Sequence, residues 1–427
     1  MNRSYRRRAI DSLLDNYLPH LPAIAIEGPK GVGKTETARQ RSTAELRLDT
    51  PGMAQLLEAN PGHITDAEGT LLIDEWQRYT PSWDLVRRAV DDGARPGSYL
   101  LTGSAFPPVG SAIHSGAARI DAVRMRPFTL QERLDSSPAL RIESFFNPSA
   151  DEATASHPTN TIEELDLTPE WYATEICRSG LPGIMDLPEN LRVTRLDSYM
   201  ERLATHEFPE QGLRVRNPQA VLRWLTAYAA ATSQTTSYTE ILDYATPGEA
   251  TKPSRSTADA YRNLLEQLMI LEPLPAWTPL IAGFPKTAKA PKHHLCDPAL
   301  SARLLGARPH SLISGDPQQI QLFSQLFESL AVLTARVAAE TFGARVSHLR
   351  THKGDHEVDI IVEGPDKRVL GIEVKISPVI KDEHAKHLHW LHKTLGDRFT
   401  GGIIVHAGQH FYQRRDGIWV VPLAALA

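Results

Sequence analysis

The chain has 427 residues, of which 41% are hydrophobic and 23% are charged, and its formal net charge is -5. This length and balance are typical of a globular protein with roughly two to four domains of about 100–200 residues each. The negative net charge excludes a polycation, so any nucleic acid must be bound through a local basic patch. The two cysteines exclude a disulfide framework and a four-cysteine zinc site.

The sequence predicts no membrane partner and a cytoplasmic location. It contains no run of about 18 apolar residues, the length that a membrane-spanning helix requires. The basic start, MNRSYRRRAI, is not followed by the apolar stretch of a secretory signal. The two cysteines, Cys177 and Cys296, lie far apart in the chain, which also fits a reducing cytosol.

The first chemical motif is the stretch GPKGVGKT. An apolar run at 23–27 suits a buried parallel strand before it, and helix-forming residues follow it at 34–40. Glycines in such a loop let backbone N–H groups turn inward, where they and the helix N-terminus attract phosphate oxygens. The lysine then reaches the β- and γ-phosphates of a nucleotide, and the next hydroxyl ligates Mg²⁺. The predicted nucleotide-binding residues are Gly28, Pro29, Lys30, Gly31, Val32, Gly33, Lys34 and Thr35.

A second motif supplies carboxylates for the same site. The run LLIDE at 71–75 reads as an apolar strand that ends in two acids. We expect Asp74 to hold the shell of Mg²⁺ together with Thr35. We expect Glu75 to polarise the attacking water, because adjacent residues of a strand point to opposite faces.

Further strands and helices alternate around these motifs. The run at 97–104 predicts a third strand whose end places Thr102 or Ser104 near a γ-phosphate or the attacking water; the alternative is a plain strand-end turn. A short strand is predicted at 46–49 and an amphipathic helix at 83–90. This alternation predicts a parallel sheet covered by helices on both faces, with ligands at the carboxyl ends of its strands.

Three arginines, Arg119, Arg124 and Arg126, follow the third strand. An arginine that meets the γ-phosphate in the transition state greatly accelerates hydrolysis. Arg119 is the first candidate for this catalytic role, acting within its own chain or on a neighbouring subunit, which would require an oligomer. The alternative is that these arginines are solvated surface residues.

Four stretches, in this order, make residues 1–135 resemble the bacterial ATPases of the AAA+ superfamily whose chains end in a C-terminal domain of unknown function. They are GPKGVGKT, LLIDEWQ, YLLTGSA and a GxxRI…RPFTLQE stretch that includes Arg119. The chain departs from that family at 116–118, since glycine usually stands immediately before the arginine. The resemblance implies a P-loop domain that binds and hydrolyses ATP with Mg²⁺.

The middle of the chain predicts a linker and then a helical domain. Residues 136–194 include a polar, poorly periodic stretch that predicts a mobile insertion or linker. Residues 195–290 show apolar stripes at helical spacing, then two short helices and a strand-like run at 269–274, the order of a winged helix. Basic residues near the second short helix would contact a DNA groove; they are Lys252, Arg255 and Arg262. A helix-turn-helix used only for packing or protein contact is the alternative.

Residues 310–427 predict a small α/β domain. A long amphipathic helix is followed by three strands, a second helix and further strands. This order resembles the PD-(D/E)XK nuclease fold, and Asp359 with Glu373-Val374-Lys375 resembles that superfamily's core signature. The alternative is a solvated hairpin with alternating polar residues.

This second resemblance implies a metal site in the C-terminal domain. Glu373 and Lys375 stand two apart on one strand, so their side chains share a face. Asp359 on the partner strand and Glu373 would bind Mg²⁺ or Mn²⁺, and Glu328 on the preceding helix would complete the shell. Lys375 would orient or deprotonate water for phosphodiester hydrolysis.

Together these patterns predict an α/β protein with a P-loop parallel-sheet domain, a helical winged-helix-like domain and a PD-(D/E)XK-like domain. The first functional hypothesis is a Mg²⁺-dependent ATPase of AAA+ type whose nucleotide state repositions a DNA- or protein-interacting C-terminal region. The second is an ATP-regulated endonuclease. The third is a slow nucleotide-dependent switch that binds a protein partner.

Overall fold

The structure, a computed structural model, contains two β-sheets connected by a mostly helical middle region. It describes residues 5–103, 116–136, 138–147, 166–213, 217–246, 254–279, 281 and 283–427. The strands are β1 (Ala23–Glu27), β2 (Ala44–Arg47), β3 (Leu71–Asp74), β4 (Tyr99–Gly103), β5 (Asp121–Arg124), β6 (Arg345–Arg350), β7 (Glu357–Glu363), β8 (Val369–Lys375), β9 (Phe399–His406), β10 (Tyr412–Gln413) and β11 (Trp419–Pro422).

The α-helices are α1 (Ala9–Tyr17), α2 (Lys34–Arg39), α3 (Met53–Ala59), α4 (Gly62–Thr65), α5 (Pro81–Asp91), α6 (Leu130–Leu134), α7 (Pro169–Arg178), α8 (Pro182–Met185), α9 (Glu189–Arg202), α10 (Phe208–Glu210), α11 (Pro218–Ala230), α12 (Tyr238–Tyr244), α13 (Arg255–Gln267), α14 (Pro298–Leu304), α15 (Pro309–Leu312), α16 (Pro317–Thr341) and α17 (Lys386–Leu395). Shorter 3₁₀ or π turns lie at Trp76–Tyr79, Ile142–Phe145, Leu203–Glu207, Asp382–Ala385, Gly396–Arg398 and Leu423–Ala425.

The first sheet has the strand order β2-β3-β4-β1-β5, and every neighbouring pair is parallel. Its central strands β1, β3 and β4 are buried on both faces, so their sequences are continuously apolar instead of alternating. The predicted parallel sheet is therefore confirmed. Strand β2 begins two residues before the predicted run at 46–49, and its pairing with β3 ends at Arg47 opposite Asp74.

The middle helices share a hydrophobic core with the first sheet. Ile24 and Ile26 of β1 belong to the same buried cluster as Trp224 of α11 and Leu265 of α13. The other face of the sheet packs a separate cluster that includes Val86 of α5. A displacement of the P-loop sheet would therefore change the packing of the middle helices, because the sheet and these helices share one close-packed core.

The winged-helix prediction rests on elements that the structure describes in part. Helices α12 and α13 are where the two short helices were expected, but the segment between them, with Lys252, lies outside the described residues. The strand expected at 269–274 forms isolated antiparallel bridges, Leu271 with Leu295 and Leu274 with Lys292. The winged helix stays a prediction.

The second sheet has the strand order β10-β11-β9-β8-β7-β6. Strands β6, β7 and β8 are antiparallel neighbours, whereas β8 with β9 and β9 with β11 are parallel pairs. Helix α16 packs in the core on one face and α17 in the core on the other. The predicted order of helix, three strands, helix and strand is confirmed, while its assignment to the nuclease fold stays a prediction.

Helix α16 is the central support of this domain. It has 25 residues and is long and apolar enough to cross a membrane by those two criteria alone. However, 61% of its most apolar window is buried inside the protein. Phe327 packs edge-on against Tyr172 of α7, and Leu330 is fully buried in the same cluster. The helix is apolar because it fills a core.

The predicted linker includes the polar stretch at 147–158, which after residue 147 lies outside the described residues, whereas residues 138–147 are packed against the rest of the protein. Ile142 is fully buried, and its backbone N–H donates to the carbonyl of Ala427 at 2.6 Å. Leu140 forms a parallel bridge with Leu426 and Phe146 stacks against Phe342. These contacts hold the end of the chain, and the mobile insertion or linker stays a prediction for the polar stretch.

Candidate functional site

The loop from Gly28 to Thr35 joins β1 to α2, as the motif predicts. Gly33 is the N-cap of α2 with a φ of 108°, a conformation that favours glycine. At Gly28 a Cβ atom would lie 2.2 Å from the carbonyl oxygen of Met125, so glycine is needed for close approach to β5. The loop therefore has the backbone geometry of a phosphate cradle.

The Lys34 side chain is buried in this loop and points at its backbone. Its Nζ donates to the carbonyl oxygens of Gly28 at 2.8 Å and Pro29 at 3.1 Å. Burial lowers the pKa of Lys34 to about 8, although the negative charges of Glu75 and Asp74 act in the opposite direction. Among the described residues no carboxylate forms an ion pair with this ammonium, so a ligand phosphate would be its strongest counterion.

Asp74 lies where the motif predicts, at the buried carboxyl end of β3. Its Oδ1 accepts hydrogen bonds from the Thr35 hydroxyl at 2.8 Å and the Thr102 hydroxyl at 2.6 Å. The carboxylate and the P-loop hydroxyl are thus already adjacent, as a shared Mg²⁺ shell requires. Thr102 holds Asp74 in place from β4, and Ser104, the other sensor candidate, lies outside the described residues.

Glu75 lies outside β3, and the expectation that Asp74 and Glu75 alternate within a strand is wrong. The strand ends at Asp74, and Glu75 adopts a left-handed conformation with a φ of 56° before a 3₁₀ turn. Gln77 Nε2 donates to Glu75 Oε2 at 2.5 Å, which fixes the carboxylate. Non-glycine residues are strained in this region and occur preferentially at functional sites. Strand alternation was expected to point the two acids in different directions. In the structure the left-handed turn at Glu75 separates them instead.

Arg119 lies at the wrong edge of the sheet for a role on its own nucleotide. It precedes β5, whose first residue Asp121 pairs with Ile24, whereas the P-loop follows Glu27 at the other end of β1. The two edges are separated by roughly 13 Å, the length of β1 at about 3.3 Å per residue. Arg119 Nε instead pairs with Asp91 at 2.9 Å on the surface. This position does not favour action within its own chain, and the catalytic role of Arg119 stays a prediction.

Arg8 supports the P-loop through hydrogen bonds, a role that no sequence pattern predicted. The side chain is 4% exposed, and its guanidinium donates to the carbonyls of Val32 at 3.3 Å and Arg126 at 2.7 Å. It also pairs with Glu132 at 3.0 Å and lies 3.6 Å from the centroid of the Phe128 ring. Residues of the RPFTLQE stretch thus bind Arg8, and Arg8 in turn binds the P-loop. A basic cluster at the start of the chain was the available signal.

The middle region contacts the P-loop through an ion pair and a hydrogen bond. Lys30 Nζ pairs with Glu207 Oε1 at 2.5 Å, and Glu207 closes a π turn after α9. The Tyr199 hydroxyl donates to the Lys30 carbonyl at 3.1 Å. Such π turns are frequent at functional sites. Lys30 is 169 and 177 residues away from these partners, so spacing alone could not have revealed them.

Residues 20–134 match the family model of an AAA domain. This part of the chain is therefore similar to an AAA-type P-loop domain. Residues 169–311 match the domain of unknown function DUF8612, and residues 323–426 match the domain of unknown function DUF4143. The family match agrees with the parallel sheet, the phosphate cradle and the Thr35–Asp74 contact.

The chain is 24% identical over 424 residues to the uncharacterized proteins Rv2008c of Mycobacterium tuberculosis and Mb2031c of Mycobacterium bovis. Each alignment covers 97% of this chain and 83% of the relative. A solved structure, the Walker-type ATPase PABY2304 of Pyrococcus abyssi, is 16% identical with a TM-score of 0.42. That alignment covers 71% of this chain and 99% of the other. The AAA assignment therefore rests on the family match and on the geometry above.

The predicted residues of the C-terminal site do converge. Asp359 Oδ2 accepts from the backbone N–H of Val374 at 3.0 Å and lies 3.5 Å from Lys375 Nζ. Lys375 Nζ donates to Glu373 Oε2 at 2.7 Å. Burial and the charge of Asp359 raise the pKa of Glu373 to about 8, so this carboxyl is mostly protonated at neutral pH.

A second lysine, which no sequence pattern predicted, lies among the acidic side chains of this cluster. Lys292 is 3% exposed, and its Nζ contacts Glu328 at 2.9 Å, Glu357 at 3.1 Å and Asp359 at 3.3 Å. Burial raises the pKa of Glu328 to about 7 even though Lys292 opposes that shift. Glu328 thus reaches the predicted cluster, but its partner is an ammonium group.

A metal ion does not fit the C-terminal cluster in this arrangement. Both carboxylate oxygens of Asp359 already accept from nitrogen donors, and no metal-holding group of three or more acidic, histidine or cysteine side chains occurs among the described residues. Oε1 of Glu373 is buried without a hydrogen-bond partner, and burial together with the charge of Asp359 raises the pKa of this carboxyl. The predicted metal roles of Asp359, Glu373 and Glu328 are therefore not supported by the contacts.

Proposed function

We propose that the protein is a Mg²⁺-dependent ATPase of AAA+ type whose nucleotide state is coupled to its middle and C-terminal domains. One observation carries the proposal: the buried ammonium of Lys34 is hydrogen-bonded to neutral carbonyls inside a glycine-rich loop. A buried cation with neutral acceptors favours an anionic ligand. In this loop geometry the inward-facing amides and the lysine suit a nucleoside triphosphate.

The residues of the site divide the chemistry among them. The Thr35 hydroxyl and the Asp74 carboxylate would hold Mg²⁺, which when bound neutralises charge on the transferring phosphoryl group. Lys34 donates hydrogen bonds to phosphate oxygens. Glu75 orients the attacking water and accepts its proton, and Gln77 fixes the direction of the Glu75 carboxylate.

Contacts of the P-loop with the middle region support the coupling. The pair between Lys30 and Glu207 and the bond from Tyr199 join the loop to the end of α9. At the same carboxyl edge of the sheet as the P-loop, Arg126, two residues after β5, pairs with Glu272 at 2.8 Å and with Glu340 of α16. A change in loop geometry on nucleotide binding would thus reach both later domains through ion pairs.

ATP hydrolysis by the wild type and by two variants tests the proposal. Lys34→Ala should abolish nucleotide binding and turnover together. Glu75→Gln should keep binding while turnover falls by about 100-fold or more, because only the proton acceptor is lost. Glu58→Gln, an exposed acid on α3, is the matched control and should match the wild type. Absence of Mg²⁺-dependent nucleotide binding by the wild type would refute the proposal.

A slow nucleotide-dependent switch is a second form of this proposal, in which the protein binds ATP but hydrolyses it very slowly. The same assay distinguishes it, because a switch would bind ATP with Lys34-dependent affinity and hydrolyse it negligibly. A protein partner would then be expected to associate with one nucleotide state. Pull-down of candidate partners with Glu75→Gln in ATP and in ADP compares the two states.

A DNA-cleaving function is the second candidate, favoured by the convergence of Asp359, Glu373 and Lys375. DNA would approach through the winged-helix-like region, although Arg262 already pairs with Asp259 at 3.3 Å and stacks over Tyr238. Mn²⁺-dependent cleavage of DNA should be lost in Asp359→Ala and Lys375→Ala. Cleavage that is unchanged in both variants would reject this function.

A further inference from the structure

The Lys292 ammonium lies where the C-terminal carboxylates converge. Its contacts reach three acids from two elements: Glu328 on α16, and Glu357 and Asp359 on β7. All three contacts are at most 3.3 Å, and the Lys292 side chain is 4% exposed. Carboxylate oxygens are the type of donor that Mg²⁺ or Mn²⁺ prefers, but in the described residues these oxygens are spaced around an ammonium and form no metal-holding group. Here the positive charge at the centre of the carboxylates is the Lys292 ammonium of the protein itself.

The position of Lys292 is fixed by backbone pairing. Lys292 N donates to the Leu274 carbonyl at 2.9 Å, and Leu274 N donates to the Lys292 carbonyl at 2.8 Å. The neighbouring His293 and His294 are also buried. The backbone of Lys292 is therefore held in place, and its side chain extends from this fixed point into the cluster.

Lys292 comes from a different part of the chain than the acids it neutralises. It lies in the region that matches DUF8612, whereas Glu328, Glu357 and Asp359 lie in the region that matches DUF4143. The middle domain thus supplies the counterion for the C-terminal domain. A buried pair of this kind leaves costly unpaired charges when one partner is removed.

We infer that Lys292 is a built-in cation that closes the C-terminal carboxylate cluster to divalent metal ions. A metal ion and the ammonium would need the same oxygens, and their positive charges exclude one another at these distances. The cluster is therefore latent, and it becomes a cation site only when Lys292 is withdrawn. The inference does not depend on ATP hydrolysis, and Mn²⁺-dependent DNA cleavage by the wild type that requires Asp359 would contradict it.

Mn²⁺ binding to the full chain, without nucleotide, tests the inference by electron paramagnetic resonance of free Mn²⁺ and by calorimetry. Lys292→Met should gain one Asp359-dependent Mn²⁺ site whose dissociation constant is at least about tenfold below the weakest binding that the assay detects, a difference of about 1.4 kcal/mol, while the wild type shows no such site. The gain should vanish in Lys292→Met combined with Asp359→Asn. Lys292→Arg keeps the charge and should behave as the wild type.

Comparison of the wild type with Asp359→Asn decides the question even when Lys292→Met does not fold. Isotherms that superimpose support the inference, because they show no Mn²⁺ at Asp359 in the wild type. An Asp359-dependent site in the wild type overturns it. A folded Lys292→Met variant that gains no site overturns it as well. Dependence on Asp359 also separates this cluster from Mn²⁺ held by Thr35 and Asp74.

Discussion

The P-loop and the C-terminal cluster each contain a buried lysine, and the two lysines are in opposite electrostatic situations. Lys34 is 7% exposed and Lys292 is 3% exposed. Burial lowers the pKa of Lys34 to about 8, because its acceptors are neutral carbonyls. The surrounding carboxylates instead raise the pKa of Lys292 above its usual range, despite similar burial. The first lysine needs an anion from outside, and the second is neutralised within the fold.

This difference teaches how to distinguish a binding site from a closed cluster of the same residue types. Both regions contain lysine and acidic side chains close together in space. At the P-loop the acids Asp74 and Glu75 are held by Thr102 and Gln77, and they leave the ammonium without an ion pair. In the C-terminal cluster the acids contact the ammonium directly. Partners decide the function more than composition does.

The largest expected effect is the difference in the free energy of unfolding when each of the two buried lysines is replaced by methionine. Lys292→Met should lower the free energy of unfolding by about 3–5 kcal/mol, because it leaves buried carboxylates uncompensated. Lys34→Met should change it by less than about 1 kcal/mol or stabilise the protein, because it removes a poorly compensated buried charge. Urea denaturation followed by tryptophan fluorescence measures both. Equal losses for the two variants would contradict the comparison.

The sequence was sufficient for those parts of the site that are local. The P-loop, Asp74 and the parallel strands that carry them follow from short apolar runs and glycine spacing, because adjacent parallel strands bring their ends together. Lys292 and Arg8 were missed because their partners are 36 and 124 residues away, and neither forms a recognisable spacing. The left-handed turn at Glu75 was missed because strand alternation was extended one residue too far.

The second prediction concerns the support beneath the P-loop. Arg8→Met and Glu132→Gln should each destabilise the protein, and a double-mutant cycle should give a coupling energy of about 1–3 kcal/mol. Arg8→Met should also weaken nucleotide binding, because it releases the carbonyl of Val32. Urea denaturation and calorimetry measure these effects. Arg7→Met is the matched control: Arg7 makes an exposed pair with Asp15, so its loss should cost less than about 0.5 kcal/mol.

A coupling energy near zero would show that Arg8 and Glu132 contribute independently. The buried pair would then be only packing, and the RPFTLQE stretch would have no particular connection to the nucleotide site. Unchanged nucleotide affinity in Arg8→Met would lead to the same conclusion. Either result would weaken the contrast between an open P-loop and a closed C-terminal cluster, because the open geometry would need no such support.

The third prediction uses the pKa of Lys34, about 8 in the nucleotide-free protein. A phosphate ligand favours the charged ammonium and raises this pKa, so binding takes up a proton where the free lysine is neutral. ATP affinity should therefore fall as pH rises above 8, approaching about tenfold per pH unit. Calorimetry between pH 7 and 9 in buffers of different ionisation enthalpy measures both affinity and proton uptake. Lys34→Arg should show little such dependence, and a flat wild-type profile would refute the assignment.

The smallest expected effect belongs to Arg119. Its pair with Asp91 is exposed, so Arg119→Ala should change the free energy of unfolding by less than about 0.5 kcal/mol. Because Arg119 lies at the edge of the sheet opposite the P-loop, turnover by dilute, monomeric chains should also be unchanged. A loss of turnover that appears only as protein concentration rises would assign Arg119 to a neighbouring subunit's nucleotide. A loss in the monomer would instead mean that the sheet edge or the chain rearranges on binding, and the static comparison of the two lysines would then describe only the nucleotide-free state.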